Sequence, residues 1–374
     1  MRKKLTAVLV ALTLVLLTTT SALVGASDAA EEKTFSLQQA IDYALENSPL
    51  IVISETGIEK AKVSSKEARS VYNKAEDAPV MAFESQLSKD GYYKRMAEMG
   101  LKLAEQGKVQ TVESVKFAVE NNYFTLLNAK ENLNIQEDIY NLAVENLNIA
   151  NQKYDLGTIS EIELLSFKTS VAQAEVDRKS AQRALEYAQM NFNKALGMPL
   201  NTKVQLTDAI KVEAPESIDI EEKVSQAFVN RMEIISAKEQ YEADKLYFEI
   251  TAKWYPSNTY KHQQAKQTVE LSEYSLTNTN QTVEISVRKA HMDMLDAYES
   301  LVVLQQTEEQ LQKVYDIAKI KYENGMGTNT EVLEAMNQLK EIKLGKSKAQ
   351  LGYNLTKKQF EVSYGVGLGS ASMN

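Results

Sequence analysis

The chain contains no cysteine, which excludes a disulfide framework, thiolate metal sites, a thiol nucleophile and lipidation at a cysteine. Proline is nearly as scarce: five in 374 residues, beside 14 glycines, too few for a loop-rich or all-β protein. The two histidines, His262 and His291, stand in no metal-ligand spacing such as H-E-x-x-H. No G-x-S-x-G elbow or phosphate-binding glycine loop occurs, and Gly365-Val-Gly-Leu-Gly369 closes the chain with no helix after it. No catalytic, cofactor-binding or metal-ligating residue is therefore expected, no cofactor is implied, and the chain does not read as an enzyme. The single tryptophan, Trp254, stands two residues before Pro256 and reads as a packing residue at a hinge.

Long apolar runs are also missing, with one exception at the start. Arg2, Lys3 and Lys4 precede an apolar run from Leu5 to Leu17, and Val24-Gly25-Ala26 offers small residues for cleavage. Residues 1–26 thus read as an export signal, which places the rest outside the cytoplasmic membrane. No other run approaches the roughly 18 apolar residues that a spanning helix needs. Loss of the three basic residues takes 42 positive charges to 39 against 51 acidic residues, a net charge of −12. The excess acid argues against a nucleic-acid partner or a polybasic membrane-surface role.

What is present is helix-forming sequence with regular punctuation. Ser36, with Gln39 three residues on, caps a short amphipathic helix that Asn47-Ser48-Pro49 ends. Helix follows from about Leu50 to Lys74 and breaks near Pro79. Residues 80–100 sustain no period, although Asp90-Gly91 signals a turn. From about Lys102 to Asp155 one long helix carries the seam Tyr140, Ala143, Leu147, Ala150 and Tyr154. A return helix from Glu161 to Leu196 has the small-residue seam Val171, Ala174, Ala181, Ala184 and Ala188, which lets neighbours approach closely.

Residues 201–218 read as a linker with brief alternation at Val204 and Leu206. The pattern then begins again, with a short helix at Glu221–Val229 and a second to about Ala252. A long helix from about Thr259 carries Leu304, Leu311, Tyr315, Ala318 and Tyr322, and a return helix spans Glu331 to Tyr364. A constant shift of 168 residues sets Phe117 on Ile285, Leu127 on Leu295, Tyr154 on Tyr322, Phe192 on Phe360 and Gly197 on Gly365. Upstream, Asn47 meets Asn230 only at a shift of 183. The halves therefore differ by 15 residues, all between the post-Asn helix and the long helix. The expected domains are a signal peptide at 1–26, hairpin repeats at 36–200 and 219–368, and the linker at 201–218. The fold class is all-α: elongated, tandem helical hairpins with little or no β.

Each long hairpin turns at the same motif. Tyr154-Asp-Leu-Gly157-Thr158-Ile-Ser160 and Tyr322-Glu-Asn-Gly325-Met-Gly327-Thr328 each combine a glycine stop with a capping box, Ser160/Glu163 and Thr328/Glu331. Tyr154 and Tyr322 are expected to pack across the seam, and Gly157, Gly325 and Gly327 to supply left-handed turn residues. Glu161, Glu163, Glu323 and Glu331 cluster at the tips. They read as helix-terminal carboxylates, or, in an oligomer, as an acidic ring at a tunnel mouth.

This ordered set, met twice, resembles the TolC-like outer-membrane efflux family. The resemblance rests on Asn47-Ser-Pro49, the two Tyr-x-x-Gly-x-x-Ser/Thr tips, Leu196-Gly197 and Tyr364-Gly365, and covers about residues 36–368. It implies a homotrimeric helical tunnel in the cell envelope. Its hairpin tips (Tyr154, Gly157, Thr158, Ser160, Tyr322, Gly325, Gly327 and Thr328) would dock a periplasmic adaptor, or membrane-fusion protein, and an inner-membrane pump. The family also inserts a β-hairpin between the second and third helices of each half, and a membrane strand needs about nine to eleven alternating residues. Neither 75–105 nor 253–283 supplies two such segments. The expectation is an efflux or secretion conduit, in the outer membrane or the periplasm, with its barrel strands shortened or lost. The alternative is a non-conducting helical structural or adaptor protein of the envelope.

Overall fold

The structure, a computed structural model, describes residues 33–209 and 211–368; the expected export signal at 1–26 lies outside the described residues. The first half comprises β1 (Lys33–Phe35), α1 (Leu37–Asn47), α2 (Pro49–Ala75), α3 (Phe83–Lys89), α4 (Tyr92–Asp155) and α5 (Glu161–Ala195). β2 (Val204–Leu206) follows in the stretch between the halves, and the second half comprises α6 (Ile220–Asn230), α7 (Met232–Trp254), α8 (Tyr260–Glu323) and α9 (Asn329–Tyr364). The all-α reading holds: among the described residues the strands are three residues each, paired in parallel with Phe35 opposite Leu206.

The duplication appears in the helix boundaries themselves. α4 and α8 are both 64 residues long, and their starts lie 168 residues apart. At a rise of about 1.5 Å per residue each is a rod of roughly 96 Å. α5 and α9 begin at the same shift, whereas α1 and α6, 11 residues each, begin 183 apart. The difference between halves lies where the sequence puts it. α2 outlasts α7, and the first half adds α3 between its second and long helices, where the second half has only a tight corner at 255–259. α3 packs Phe83 and Leu87 against Ile250 of α7, with Tyr247 and Tyr255 beside them.

Local chemistry explains the joints. Ser36, Ser160 and Thr328 each form the reciprocal capping box expected of them. Pro49 starts α2 from an extended Ser48. In the second half Arg231 takes that extended position, φ −65° and ψ 127°. Its guanidinium donates to Glu233 and to the Ser363 carbonyl at 2.9 Å, tying α7 to the end of α9. α4 begins ten residues before the expected start. Tyr92 packs on Tyr247, and Arg95 and Lys102 close on buried Glu239 of α7 at 2.6 Å each. These partners are remote in sequence and leave no local period.

Three cores run along the rods. Phe35, Ala40 and Ala44 meet Val119, Tyr123 and Phe192 in the first half; Val224 and Ala227 meet Val287, Leu301 and Phe360 in the second. The duplication substitutes one ring for another here: Tyr123 lies 5.8 Å from Phe192, and His291 lies 5.1 Å from Phe360. His291 is half-buried, its ring tilted against Phe360. The third core joins the two hairpins toward their tips and holds Ala143, Ala150, Phe167, Tyr315, Tyr322 and Leu339. Polar bonds cross the same seam. Asn128 donates to the Ser347 carbonyl at 2.8 Å, Asn146 donates to the Tyr315 hydroxyl at 3.1 Å, and Lys358 reaches Glu120 at 3.1 Å.

Candidate functional site: the paired hairpin tips

Each tip is built by the end of one long helix and the cap of the next. Gly157 and Gly325 adopt φ of 70° and 73°, the left-handed conformation that L side chains rarely take. The Thr158 amide returns to the Lys153 carbonyl and the Met326 amide to the Lys321 carbonyl, at 2.9 and 2.8 Å. These bonds satisfy carbonyls that the helix end leaves open. Ser160 and Thr328 then start α5 and α9.

The helix seam brings the two tips side by side. Ile149, Lys153, Leu156 and Thr158 of the first face Tyr322, Asn324 and Gly325 of the second across a cleft of about 790 Å³. Lys153 lies 5.0 Å over the Tyr322 ring, which also meets Phe167 at 5.4 Å. Burial, and then the charge of Glu163, push the Tyr322 phenol above its ordinary pKa. Leu156 and Met326, 78% and 73% exposed, stand out at the two turns.

The tips are not equivalent, although the sequence motif equates them. Tyr322 packs across the seam as expected, but Tyr154 is 41% exposed. The cleft-side position in the first tip belongs to Lys153, and the sequence offers no signal for this beyond its place one residue earlier. Gly327 also differs from its expected role. It is absent from the positive-φ glycines, and its constraint is space: a Cβ there would sit 3.0 Å from Lys321 Cβ and 3.1 Å from the Tyr322 amide nitrogen. The Gly197–Gly365 match breaks in the same way, since the left-handed residue after α9 is Gly367.

The four tip carboxylates divide into two pairs. Glu163 accepts from the Ser160 amide at 2.8 Å and Glu331 from the Thr328 amide at 3.0 Å, so both serve their caps. Glu161 and Glu323 are exposed. Thr158, Ser160 and Thr328 are exposed as well. Among the described residues no group of three or more His, Asp or Glu side chains is placed to hold a metal ion.

Against known proteins, the sequence model of the outer membrane efflux protein family matches residues 256–360, which span α8 and most of α9. No curated protein matches the sequence. Among solved structures, the chain is similar to the CmeC outer membrane channel of Campylobacter jejuni, with a TM-score of 0.70 at 16% identity over 90% of this chain and 86% of that one. It is similar to the outer membrane protein VceC of Vibrio cholerae, with a TM-score of 0.72 at 13% identity over 89% and 97%. The MtrE outer membrane channel of Neisseria gonorrhoeae, in its open state, gives 0.64 at 13% identity over 90% and 91%. The chain thus has the fold of the TolC-like outer membrane channels, and its second half carries the sequence pattern of the outer membrane efflux proteins.

Proposed function

We propose that the chain is the protomer of an efflux or secretion conduit of the cell envelope. It would act as a homotrimer of two-repeat subunits, with repeats at 36–200 and 219–368 joined by 201–218. The observation that carries this reading is the pair of equal 64-residue rods, each returning through a glycine-capped tip, with the family's pattern on the second. A single copy leaves apolar residues exposed at intervals of 11 along both repeats: Leu165, Val176 and Tyr187 on α5, Met292, Val303 and Val314 on α8. An 11-residue spacing keeps one face of a nearly straight helix aligned. Stripes of this kind suit lateral packing against other copies and closure of a tunnel wall, which is transport architecture and asks no catalytic group of the chain.

In this reading the tips meet a periplasmic adaptor and, through it, an inner-membrane pump. The exposed turns at Leu156 and Met326 and the cleft between Lys153 and Tyr322 supply the apolar and cationic features such a contact uses. Glu161 and Glu323 are the carboxylates free to form an acidic ring at the mouth. A photo-cross-linking residue at Thr158 or Met326, introduced in the native host, should capture an envelope adaptor. If trimers form and these positions capture nothing while mid-rod positions do, docking at the tips is wrong. The rival reading, a non-conducting envelope rod, requires an assembly without a lumen.

A further inference from the structure

The second tip holds a reactive pair that the turn itself does not require. Asn324 is the only asparagine in the chain followed by glycine, and both residues are exposed where α8 ends. The first tip has Leu156 at the position matched by the 168-residue shift. Its backbone is nearly the same, φ −81° and ψ −3° against −86° and 5° at Asn324. A leucine thus serves the same turn, which makes no demand for an amide side chain.

The surroundings of the pair are open. A Cβ on Gly325 would meet nothing within 4 Å, so only its chain neighbours stand beside its main-chain nitrogen. Asn201 and Asn258 are exposed too, but each precedes a threonine, whose branched Cβ crowds the following nitrogen. Two hydrogen bonds hold the resting turn. The Gly325 amide donates to the Tyr322 carbonyl at 3.1 Å, and the Asn324 side-chain amide donates to the Ile320 carbonyl at 2.8 Å. Both lie at the last turn of α8, where a helix frays. The second is redundant, because the Ile320 carbonyl also accepts from the Asn324 main-chain amide at 3.2 Å.

We infer that Asn324 is a site of spontaneous, water-dependent modification, in which its side-chain amide is exchanged for a carboxylate at the exposed tip. Asparagine is a chemically labile residue, and a following glycine leaves the attacking atom unobstructed. When the turn frays, the Gly325 nitrogen bonds to Asn324 Cγ and gives up its proton. The Cγ–Nδ2 bond breaks, and Nδ2 leaves with that proton as ammonia; nothing is oxidised or reduced. Water then opens the imide ring at either carbonyl. Opening at Cγ gives aspartate, and opening at the main-chain carbonyl gives a β-linked isoaspartate whose backbone is one carbon longer. Either product adds a negative charge beside Glu323 in the cleft that Lys153 also lines, at a helix end where the dipole disfavours it. The longer backbone also strains the return bond from the Met326 amide to the Lys321 carbonyl. The first tip, with Leu156, has no such chemistry, so ageing makes the two tips differ further.

The test ages the freshly purified, exported protein in neutral buffer at physiological temperature, folded in one sample and unfolded in urea in another. Peptide mass spectrometry locates each conversion, and labelling by an isoaspartyl methyltransferase reads the β-linked product. The expected result is loss of Asn324 from the folded protein over days, ahead of Asn201 and Asn258, and faster again in urea, where the two hydrogen bonds are gone. Asn324→Gln should remain unlabelled over the same period. Asn324 left intact in the folded protein while the urea sample converts would show that the turn guards it, and would overturn the inference. So would equal conversion at Asn201 or Asn258, or equal labelling of the Asn324→Gln variant. The chemistry needs only the turn, so imaging for a lumen reads the conduit proposal separately.

Discussion

Glu239 is buried on α7, and burial pushes its carboxyl up, but hydrogen bonds from Lys102 and Arg95 outweigh this and leave the pKa below its ordinary value. A carboxylate depressed in this way stabilises the fold above the unfolded pKa and loses that contribution as pH falls through the folded value. Glu239→Gln should cost about 1–2 kcal/mol at neutral pH, discounted because Arg95 and Lys102 reach solvent. The gap between wild type and variant in thermal melts should close as pH drops below the ordinary glutamate range; a constant gap would show that packing, not charge, is lost. Two tyrosines of the hairpin seam make a second comparison. The Tyr315 hydroxyl is bonded to Asn146, whereas the buried Tyr322 hydroxyl has no partner among the described residues. Tyr315→Phe should cost about 1 kcal/mol in urea melts, while Tyr322→Phe should be neutral or slightly stabilising. Equal losses would contradict the assignment.

At the scale of elements, the differences between repeats are as informative as the matches. α3 has no counterpart in the second half, yet it is fastened by Phe83, 6% exposed, against Tyr247, Trp254 and Tyr255. Phe83→Ala should therefore lower stability by about 3 kcal/mol and raise amide exchange around 76–91 and 247–262, with the tip protection unchanged. A loss of protection at the tips would mean that the rods unfold as one unit. The sequence made most of this legible where signals are local: three capping boxes, Pro49, the glycines of the tips and the 168-residue shift. It left α3 and the first turns of α4 unread. Those are held by rings and by Glu239 from another repeat, and a partner more than a hundred residues away imposes no period on its own neighbourhood. Tyr154 failed for a related reason: an identical motif on two helices does not make their neighbours identical.

At the scale of the whole molecule, an isolated copy exposes apolar side chains along both repeats that no contact within the chain covers. Val303→Glu combined with Ile317→Glu changes residues that are 59% and 54% exposed. A lone protomer should tolerate both within about 0.5 kcal/mol. An assembly that buries them should not, and size-exclusion chromatography should show the variant moving to the monomer position with its helical signal intact. If both proteins elute as monomers, the stripes have another purpose.

The most direct test of the conduit account is a set of class averages of the purified, exported protein by electron microscopy, viewed along the long axis. The account predicts a ring of three copies around an open lumen, with rods of roughly 96 Å seen from the side. Monomers, or paired rods closed on themselves without a lumen, would contradict it.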